Sequence, residues 1–197
     1  MHIIELCGLP RTGKTTLKRL LLERLPDRLM SVTDDRLIAA GIVLPYDNPM
    51  WQVQFMHALY THVLSAERAA VSYLVLDRGF NDQSAWIDTN GFTRQWKEFQ
   101  YQALSLLKPD ERHPYSTFVM GGVDYRVCKS RHAELGFTQD SDIAMERDEL
   151  LQRLQAYYEM PPFPHIRLDA NRSPGTLVAS VLDAVGEQSS DSMGILP

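Results

Sequence analysis

Short apolar runs alternate with longer segments of helical periodicity along most of this 197-residue chain. The apolar runs have four or five residues and are rich in aliphatic side chains, which predicts buried strands. The predicted strands are Ile3–Cys7, Leu29–Thr33, Tyr73–Asp77, Thr117–Met120 and His165–Asp169. The predicted helices are Lys14–Leu25, Trp51–Ala70, Thr93–Leu107, Asp124–His132, Ile143–Tyr158 and Pro174–Val185. This alternation predicts an α/β fold, with helices on both faces of a parallel sheet and ligands at the carboxyl ends of its strands.

The segment between the first predicted strand and the first predicted helix reads GLPRTGKTT, from Gly8 to Thr16. Gly8, Gly13, Lys14 and Thr15 have the spacing of a phosphate-binding loop (P-loop), and strand, loop and helix come in the required order. In such a loop the backbone N–H groups and the helix N-terminus face phosphate oxygens. The lysine reaches the β- and γ-phosphates, and the threonine hydroxyl ligates Mg²⁺. The sequence therefore predicts a site for ATP and Mg²⁺ rather than an ordinary glycine-rich turn.

The third predicted strand ends in Asp77, followed directly by Arg78. A carboxylate at a strand end beside a P-loop holds Mg²⁺ or one of its waters, so Asp77 and Thr15 are the predicted metal ligands. Arg78 is well placed to hold an acceptor phosphate or the transferring group, although a surface ion pair is the alternative.

The second predicted strand is followed by TDDRL, which contains Asp34, Asp35 and Arg36. Asp34 either caps the next helix or accepts the proton of an attacking hydroxyl group. We choose Asp34 as the catalytic base because it lies nearest the strand end. Asp35 and Arg36 are assigned to the acceptor.

A basic segment, DYRVCKSRH, runs from Asp124 to His132 and carries Arg126, Lys129 and Arg131. This pattern fits either a solvated basic face or a lid that brings an arginine to the transferring phosphoryl group. We assign Arg131 to catalysis and Arg126 to the nucleotide.

Composition changes this picture little. The net charge of −5 disfavours a dedicated nucleic-acid-binding protein, and two cysteines indicate no disulfide framework. No apolar run is long enough for a membrane span, and the N-terminus runs straight into a strand, so we expect a cytoplasmic protein without a signal peptide. We expect one domain over residues 1–186 and a flexible tail over residues 187–197.

Taken together, these motifs resemble those of the thymidylate-kinase-like P-loop kinases. The resemblance runs from the first strand to Val185 and rests on GLPRTGKTT, LVLDRGFNDQSAW, LLKPD, the arginine-bearing segment and RLDANRSP. It implies a five-stranded parallel sheet in the order 2-3-1-4-5 and a small lid at about residues 126–142. It also implies that Arg11 contacts the nucleotide and that Ala170–Pro174 borders the adenine. The residues assigned to the nucleotide are Gly8, Arg11, Thr12, Gly13, Lys14, Thr15, Thr16, Arg126 and Asn171.

Two departures from this family concern the acceptor. Kinases of this family that act on a monophosphate have an acidic residue where this chain has Pro10, and an Arg-Glu-Pro-Gly-type segment where it has TDDRL. An anionic phosphate acceptor needs no base, whereas a hydroxyl acceptor benefits from one. The sequence therefore favours a hydroxyl of a pyrimidine-type acceptor. A bacteriophage offshoot of the family phosphorylates 5-hydroxymethyluracil within DNA, which is the most specific candidate and would place the protein in the host cytoplasm.

The residues assigned to the acceptor, besides Arg78, Asp35 and Arg36, are Trp51, Gln54, Phe55 and Trp86. Trp51 and Phe55, four residues apart on a helix, are equally compatible with a plain hydrophobic core. The alternative functions are a nucleoside monophosphate kinase of the thymidylate kinase type and a switch that binds nucleotide without transferring phosphate. A homodimer is compatible with each of them.

Overall fold

The computed structural model describes residues 1–32, 48–109, 113–135 and 147–186, which form five strands and seven helices. The strands are β1 (His2–Gly8), β2 (Leu29–Val32), β3 (Tyr73–Asp77), β4 (Tyr115–Gly121) and β5 (Ile166–Asp169). The helices are α1 (Lys14–Arg24), α2 (Met50–Arg68), α3 (Phe80–Thr89), α4 (Arg94–Leu107), α5 (Tyr125–Leu135), α6 (Asp148–Glu159) and α7 (Pro174–Ala184).

The described strands form one parallel sheet in the order β2-β3-β1-β4-β5. This confirms the order implied by the resemblance. In the register of the sheet, Leu6 lies opposite Asp77 and Val32 lies opposite Leu76. The ends of β1, β2 and β3 therefore meet at one edge, where parallel α/β sheets bind their ligands.

The sheet is buried on both faces. Alternate residues of β1 enter different clusters: Ile4 and Leu6 pack toward α1 and α7, whereas Ile3 packs toward α2 and α3. Cys7 shares the second face and joins a further cluster with residues of α3 and α6. Burial on both faces explains why the strands appear in the sequence as continuous apolar runs without alternation.

Helix α3 is missing from the sequence prediction. Apart from the exposed Asp88, its residues are buried, including Asn81, Asp82, Gln83 and Ser84. A helix that is buried all round has no apolar stripe, and buried polar side chains make its sequence resemble that of a loop. Periodicity alone could not have identified it.

The N-terminus of α3 is capped from another element, by the carboxylate of Glu5 on β1. Glu5 is fully buried and accepts the backbone N–H groups of Asn81 at 3.1 Å and Asp82 at 2.7 Å. Gly79, at the N-cap position, makes no side-chain cap, and a Cβ there would lie 2.7 Å from Glu5 Cδ. Glu5 thus satisfies N–H groups that helix geometry leaves open. Burial raises the pKa of Glu5 above its ordinary value.

Two helix boundaries differ from the prediction by more than two residues. Helix α5 runs to Leu135, beyond the predicted end at His132, and α6 begins at Asp148 rather than at Ile143. Residues 33–47, 110–112, 136–146 and 187–197 lie outside the described residues, so the tail and the domain limits stay predictions. Among the described helices, none has both the length and the apolar character of a membrane-crossing segment.

Candidate active site

The P-loop, Gly8–Thr15, leaves the carboxyl end of β1 and enters α1. Gly8 and Gly13 have φ angles of 134° and 99°, which L-residues rarely adopt, and Arg11 has a φ of 62°. The Thr12 hydroxyl donates to the Leu9 carbonyl at 2.8 Å and so braces the turn. The local sequence thus produces the curled backbone that phosphate binding needs.

Gly8→Ala is expected to lower the free energy of unfolding by about 1–3 kcal/mol, because the backbone there is left-handed and packed against β4. A Cβ at Gly8 would lie 2.7 Å from the Met120 carbonyl oxygen, a backbone atom that cannot turn away. Gly175→Ala is the matched control, since a Cβ on this α7 residue meets nothing within 4 Å. It should raise stability by about 0.4–1 kcal/mol. Urea unfolding measures the stability of both variants. An unchanged midpoint for Gly8→Ala would contradict the view that the backbone at Gly8 leaves no room for a Cβ.

Lys14 folds back over the loop from which it comes. It is 5% exposed, and its ammonium group donates to the carbonyl oxygens of Gly8 and Leu9, both at 2.8 Å. The cation is therefore held at the mouth of the loop, within reach of phosphates on the loop's N–H groups. Thr16, assigned to the nucleotide, is exposed in the first turn of α1.

Thr15 and Asp77 come together as predicted for a metal pair. The Thr15 hydroxyl donates to Asp77 Oδ2 at 2.6 Å. The sheet causes this contact: β1 and β3 are neighbours in register, so the start of α1 lies beside the end of β3. Mg²⁺ prefers oxygen ligands and needs only one or two from protein when it also binds substrate phosphates and water. Thr15 and Asp77 fit that ion.

Asp77→Asn is expected to raise the Mg²⁺ concentration needed for half-maximal ATP turnover about 10- to 100-fold, since the metal loses a charged partner. Nucleotide affinity in EDTA should change little, because the P-loop backbone binds the phosphates. Asp169→Asn is the matched control, because Asp169 also ends a strand, but its carboxylate accepts from the backbone N–H and the side-chain amide of the nearby Asn171. Titration of Mg²⁺ against turnover provides the measurement. An unaltered magnesium requirement in Asp77→Asn would show that Asp77 merely ends β3.

Arg78 follows Asp77 in a left-handed conformation, with a φ of 70°. Its N–H donates to the Leu6 carbonyl at 3.2 Å, which fixes the turn from β3 into α3. The guanidinium group lies 5.1 Å from the centroid of the Trp86 ring and 3.7 Å from Asp82 Oδ2. A cation between a carboxylate and an aromatic face is held in one place beside the predicted metal ligand.

Helix α5, the described part of the predicted lid, contacts the P-loop directly. Arg131 donates to the Arg11 carbonyl oxygen at 3.3 Å, and Arg11 Nε donates to His132 Nδ1 at 2.9 Å. The structure thus brings Arg131 to the P-loop, while the Arg11 side chain points to α5. Residues 136–142 of the predicted lid lie outside the described residues.

Arg126 and Asn171, both assigned to the nucleotide, lie apart from these contacts. Arg126 is exposed, with its guanidinium 5.2 Å from the Tyr125 ring centroid. Asn171 is also exposed, and its amide donates to the Gly122 carbonyl at 2.7 Å. Asn171 therefore ties together the ends of β4 and β5, and its contact with adenine stays a prediction.

A cleft of about 510 Å³ opens beside Trp86, between the N-termini of α2 and α6 and the end of α3. Its lining includes Gln52 and Asn90. Gln52 is 4% exposed, and among the residues that the structure describes its amide oxygen and the buried amide nitrogen of Asn90 have no hydrogen-bond partner. Unsatisfied buried amides are costly, so both side chains would gain from turning toward a polar partner.

The other predicted acceptor residues are placed unevenly. Phe55 is 1% exposed within the core, and Trp51 is half-buried and stacks on it, with ring centroids 5.1 Å apart. Gln54 is half-buried, with a buried amide oxygen that has no hydrogen-bond partner. Asp34, Asp35 and Arg36 fall outside the described residues.

Sequence reasoning missed Asp82, Gln52 and Asn90. Asp82 lies within the LVLDRGFNDQSAW segment and in the unpredicted helix α3, but nothing in that segment indicated a role for it. Gln52 and Asn90 belong to no motif. Their place in the cleft follows from tertiary packing.

Solved structures share this architecture. A deoxyadenosine kinase from M. mycoides with bound dATP superposes with a TM-score of 0.65, at 14% identity, over 93% of this chain and 98% of that chain. The same enzyme with the products dCMP and a flexible dCDP gives 0.63 over 94% and 100%, also at 14% identity. The chain has the deoxyadenosine kinase fold. The sequence matches no protein-family model, and it matches no curated protein sequence.

The deoxyadenosine kinase fold is a P-loop kinase architecture and covers nearly the whole described chain. It agrees with the fold predicted from the motifs. The narrower resemblance to thymidylate kinases, the bacteriophage offshoot, the DNA-borne base and the homodimer are not tested by these neighbours, and they stay predictions.

Proposed function

We propose that this protein is an ATP-dependent kinase that transfers the γ-phosphate to a hydroxyl group of a nucleoside-type acceptor. One observation carries the proposal. The Thr15 hydroxyl and the Asp77 carboxylate lie 2.6 Å apart beside the buried Lys14, at the mouth of a complete P-loop. A P-loop, a lysine and a paired magnesium ligand are the parts that phosphoryl transfer from a nucleoside triphosphate requires.

Two further points support a hydroxyl acceptor. The sequence places Asp34 two residues after Val32, and Val32 lies opposite Leu76, next to the strand end that carries Asp77. The chain thus leaves β2 beside the predicted metal ligand. The fold neighbours are deoxyadenosine kinases, whose acceptor is a nucleoside, and we extend this to the present chain by analogy.

In the proposed reaction, the acceptor oxygen forms a bond to the γ-phosphorus, and the bond from that phosphorus to the β–γ bridging oxygen breaks. The proton of the acceptor hydroxyl passes to Asp34. Lys14 neutralises β- and γ-phosphate charge, while Thr15 and Asp77 would hold Mg²⁺, which neutralises charge on the same phosphates. Arg78 and Arg131 meet the charge that develops on the transferring group.

The cleft beside Trp86 suits the acceptor in size and chemistry. Its volume of about 510 Å³ falls within the usual range for small-molecule pockets. Gln52 and Asn90 line the cleft, and rotation of either side-chain amide toward it would present a hydrogen-bonding group to the edge of a nucleobase.

The most specific acceptor that we propose for testing is the 5-hydroxymethyl group of 5-hydroxymethyluracil in DNA. Its support comes only from the sequence. Pro10 stands where the monophosphate kinases among the thymidylate-kinase-like proteins have an acidic residue. The net charge of −5 argues against a DNA substrate.

The proposed function is tested by transfer of labelled phosphate from ATP to a panel of acceptors. The panel contains free deoxynucleosides, dTMP and dUMP, and DNA with and without 5-hydroxymethyluracil. Transfer to a nucleoside or to the modified DNA supports the proposal and names the acceptor. Transfer to dTMP or dUMP alone would replace it with a monophosphate kinase. Tight ATP binding without transfer to any acceptor would indicate a nucleotide-binding switch.

A further inference from the structure

Asp82 lies at the centre of the site, although the sequence alone assigned it no role. Its side chain is completely buried, in the first turn of α3. The Tyr158 hydroxyl donates to Oδ1 at 2.7 Å, and the Trp86 indole N–H donates to Oδ2 at 3.0 Å. The Gly8 N–H points to Oδ1 at 3.4 Å, and the Arg78 guanidinium lies 3.7 Å from Oδ2.

These contacts join parts of the molecule that serve different steps. Gly8 begins the P-loop, Arg78 and Trp86 lie on the acceptor side, and Tyr158 belongs to α6, the helix after the lid segment. Arg78 is held twice through one carboxylate. Asp82 Oδ2 attracts its guanidinium and also orients the Trp86 ring on which that guanidinium lies.

We propose that Asp82 is a positioning residue that fixes the Arg78 guanidinium, and through it the acceptor, relative to the P-loop. The proposal rests on the proposed kinase function. Asp82 is buried behind Arg78 and Trp86 and acts through them. Small displacements of a group that orients the reacting atoms lower the rate by large factors, so loss of the Asp82 charge should lower kcat.

Asp82→Asn separates this role from a purely structural one. An asparagine oxygen can still accept from the Trp86 indole, and its amide can donate to the Tyr158 hydroxyl, which accepts as well as donates. The side-chain volume and these two hydrogen bonds are therefore preserved, and only the long contact of the Gly8 N–H with Oδ1 is given up, whereas the Arg78 guanidinium loses the negative charge of Asp82. Tyr158→Phe is the matched control, because it removes a hydrogen bond to Asp82 but leaves the carboxylate charge on Arg78.

In the transfer assay, Asp82→Asn should lower kcat about 10- to 100-fold, with the KM for ATP within about twofold of the parent value. Tyr158→Phe should keep kcat within about threefold, even where its melting temperature falls. When Arg78→Ala is already present, adding Asp82→Asn should lower kcat by less than about threefold further, because the effect of Asp82 passes through Arg78. The proposal would be overturned if the double variant lost kcat by the product of the two single losses. Equal losses of kcat in Asp82→Asn and Tyr158→Phe would overturn it as well.

A second measurement needs no acceptor and so distinguishes failure of this inference from failure of the kinase proposal. The chain has three tryptophans, and Trp51→Phe with Trp96→Phe leaves Trp86 as the sole tryptophan, whose emission is excited selectively over that of the tyrosines. Trp86 is 5% exposed, with Arg78 over its ring. Asp82→Asn should raise acrylamide quenching of Trp86 at least about twofold, as should Arg78→Ala, whereas Asp88→Asn, exposed on the same helix, should not. Unchanged quenching in Asp82→Asn would overturn the inference even in an active kinase.

Discussion

Lys14→Ala is expected to lower the rate of phosphoryl transfer by about 10³-fold or more. The Lys14 ammonium is held by the Gly8 and Leu9 carbonyl oxygens at the loop mouth, where it can turn to the β- and γ-phosphates. Single preorganised donors to a developing oxyanion contribute about 10²–10³ in rate, and a cation on a transferring phosphoryl group contributes about 10³–10⁵. Initial rates with saturating ATP and Mg²⁺ measure the loss.

The matched control for Lys14→Ala is Lys97→Ala, which removes the same charge from a half-buried site on α4, where the ammonium group donates to the Asp88 carbonyl oxygen. Its transfer rate should match that of the parent protein. Lys14→Arg extends the test, because a guanidinium keeps the charge but is larger and planar, so it should not restore the rate. Near-normal turnover in Lys14→Ala, with ATP and Mg²⁺ present, would end the kinase proposal, because the P-loop mechanism requires the lysine at this position of the loop.

Asp34→Asn has the second largest expected effect and separates the two acceptor classes. If the acceptor is a hydroxyl group, Asp34 acts as a positioned base, and its loss should lower turnover by about 10²–10⁴-fold. Asparagine also caps helices, so the melting temperature should stay nearly unchanged. Turnover and thermal midpoint are measured together for each variant.

Two companion variants make the Asp34 result interpretable. Asp34→Ala should cost about 1 kcal/mol of stability if Asp34 is an N-cap, whereas Asp34→Asn would then keep both stability and activity. Full activity in Asp34→Asn together with loss in Asp35→Asn would move the base by one residue. Full activity in both asparagine variants would remove the reason for preferring a hydroxyl acceptor over a phosphate acceptor.

Local sequence was sufficient for the strands and for the nucleotide side of the site. The central strands β1, β3 and β4 are short runs buried largely on both faces, so their apolar character is visible without knowledge of their neighbours. The P-loop is equally local, because Gly8, Gly13, Lys14 and Thr15 act within eight consecutive residues. The strand order came from the resemblance to a family, and the structure confirmed it.

The acceptor side could not be predicted in the same way, because its contacts join residues far apart in the chain. Asp82 meets Gly8 and Tyr158 across 74 and 76 positions, and Glu5 caps α3 across 77. A buried polar residue such as Asp82 has the sequence signature of a loop until a tertiary partner is known.

Sequence by itself determined that the chain forms a parallel α/β sheet with a P-loop at the carboxyl end of its first strand. The reason is that hydrophobic runs and backbone turns are set by residues that are neighbours along the chain. The motifs also predicted that Thr15 and Asp77 form a pair. Only the tertiary structure decided that Glu5 caps a helix without an apolar stripe and that Asp82 lies behind Arg78. These contacts depend on strand register and on burial of charge, which are properties of the assembled sheet.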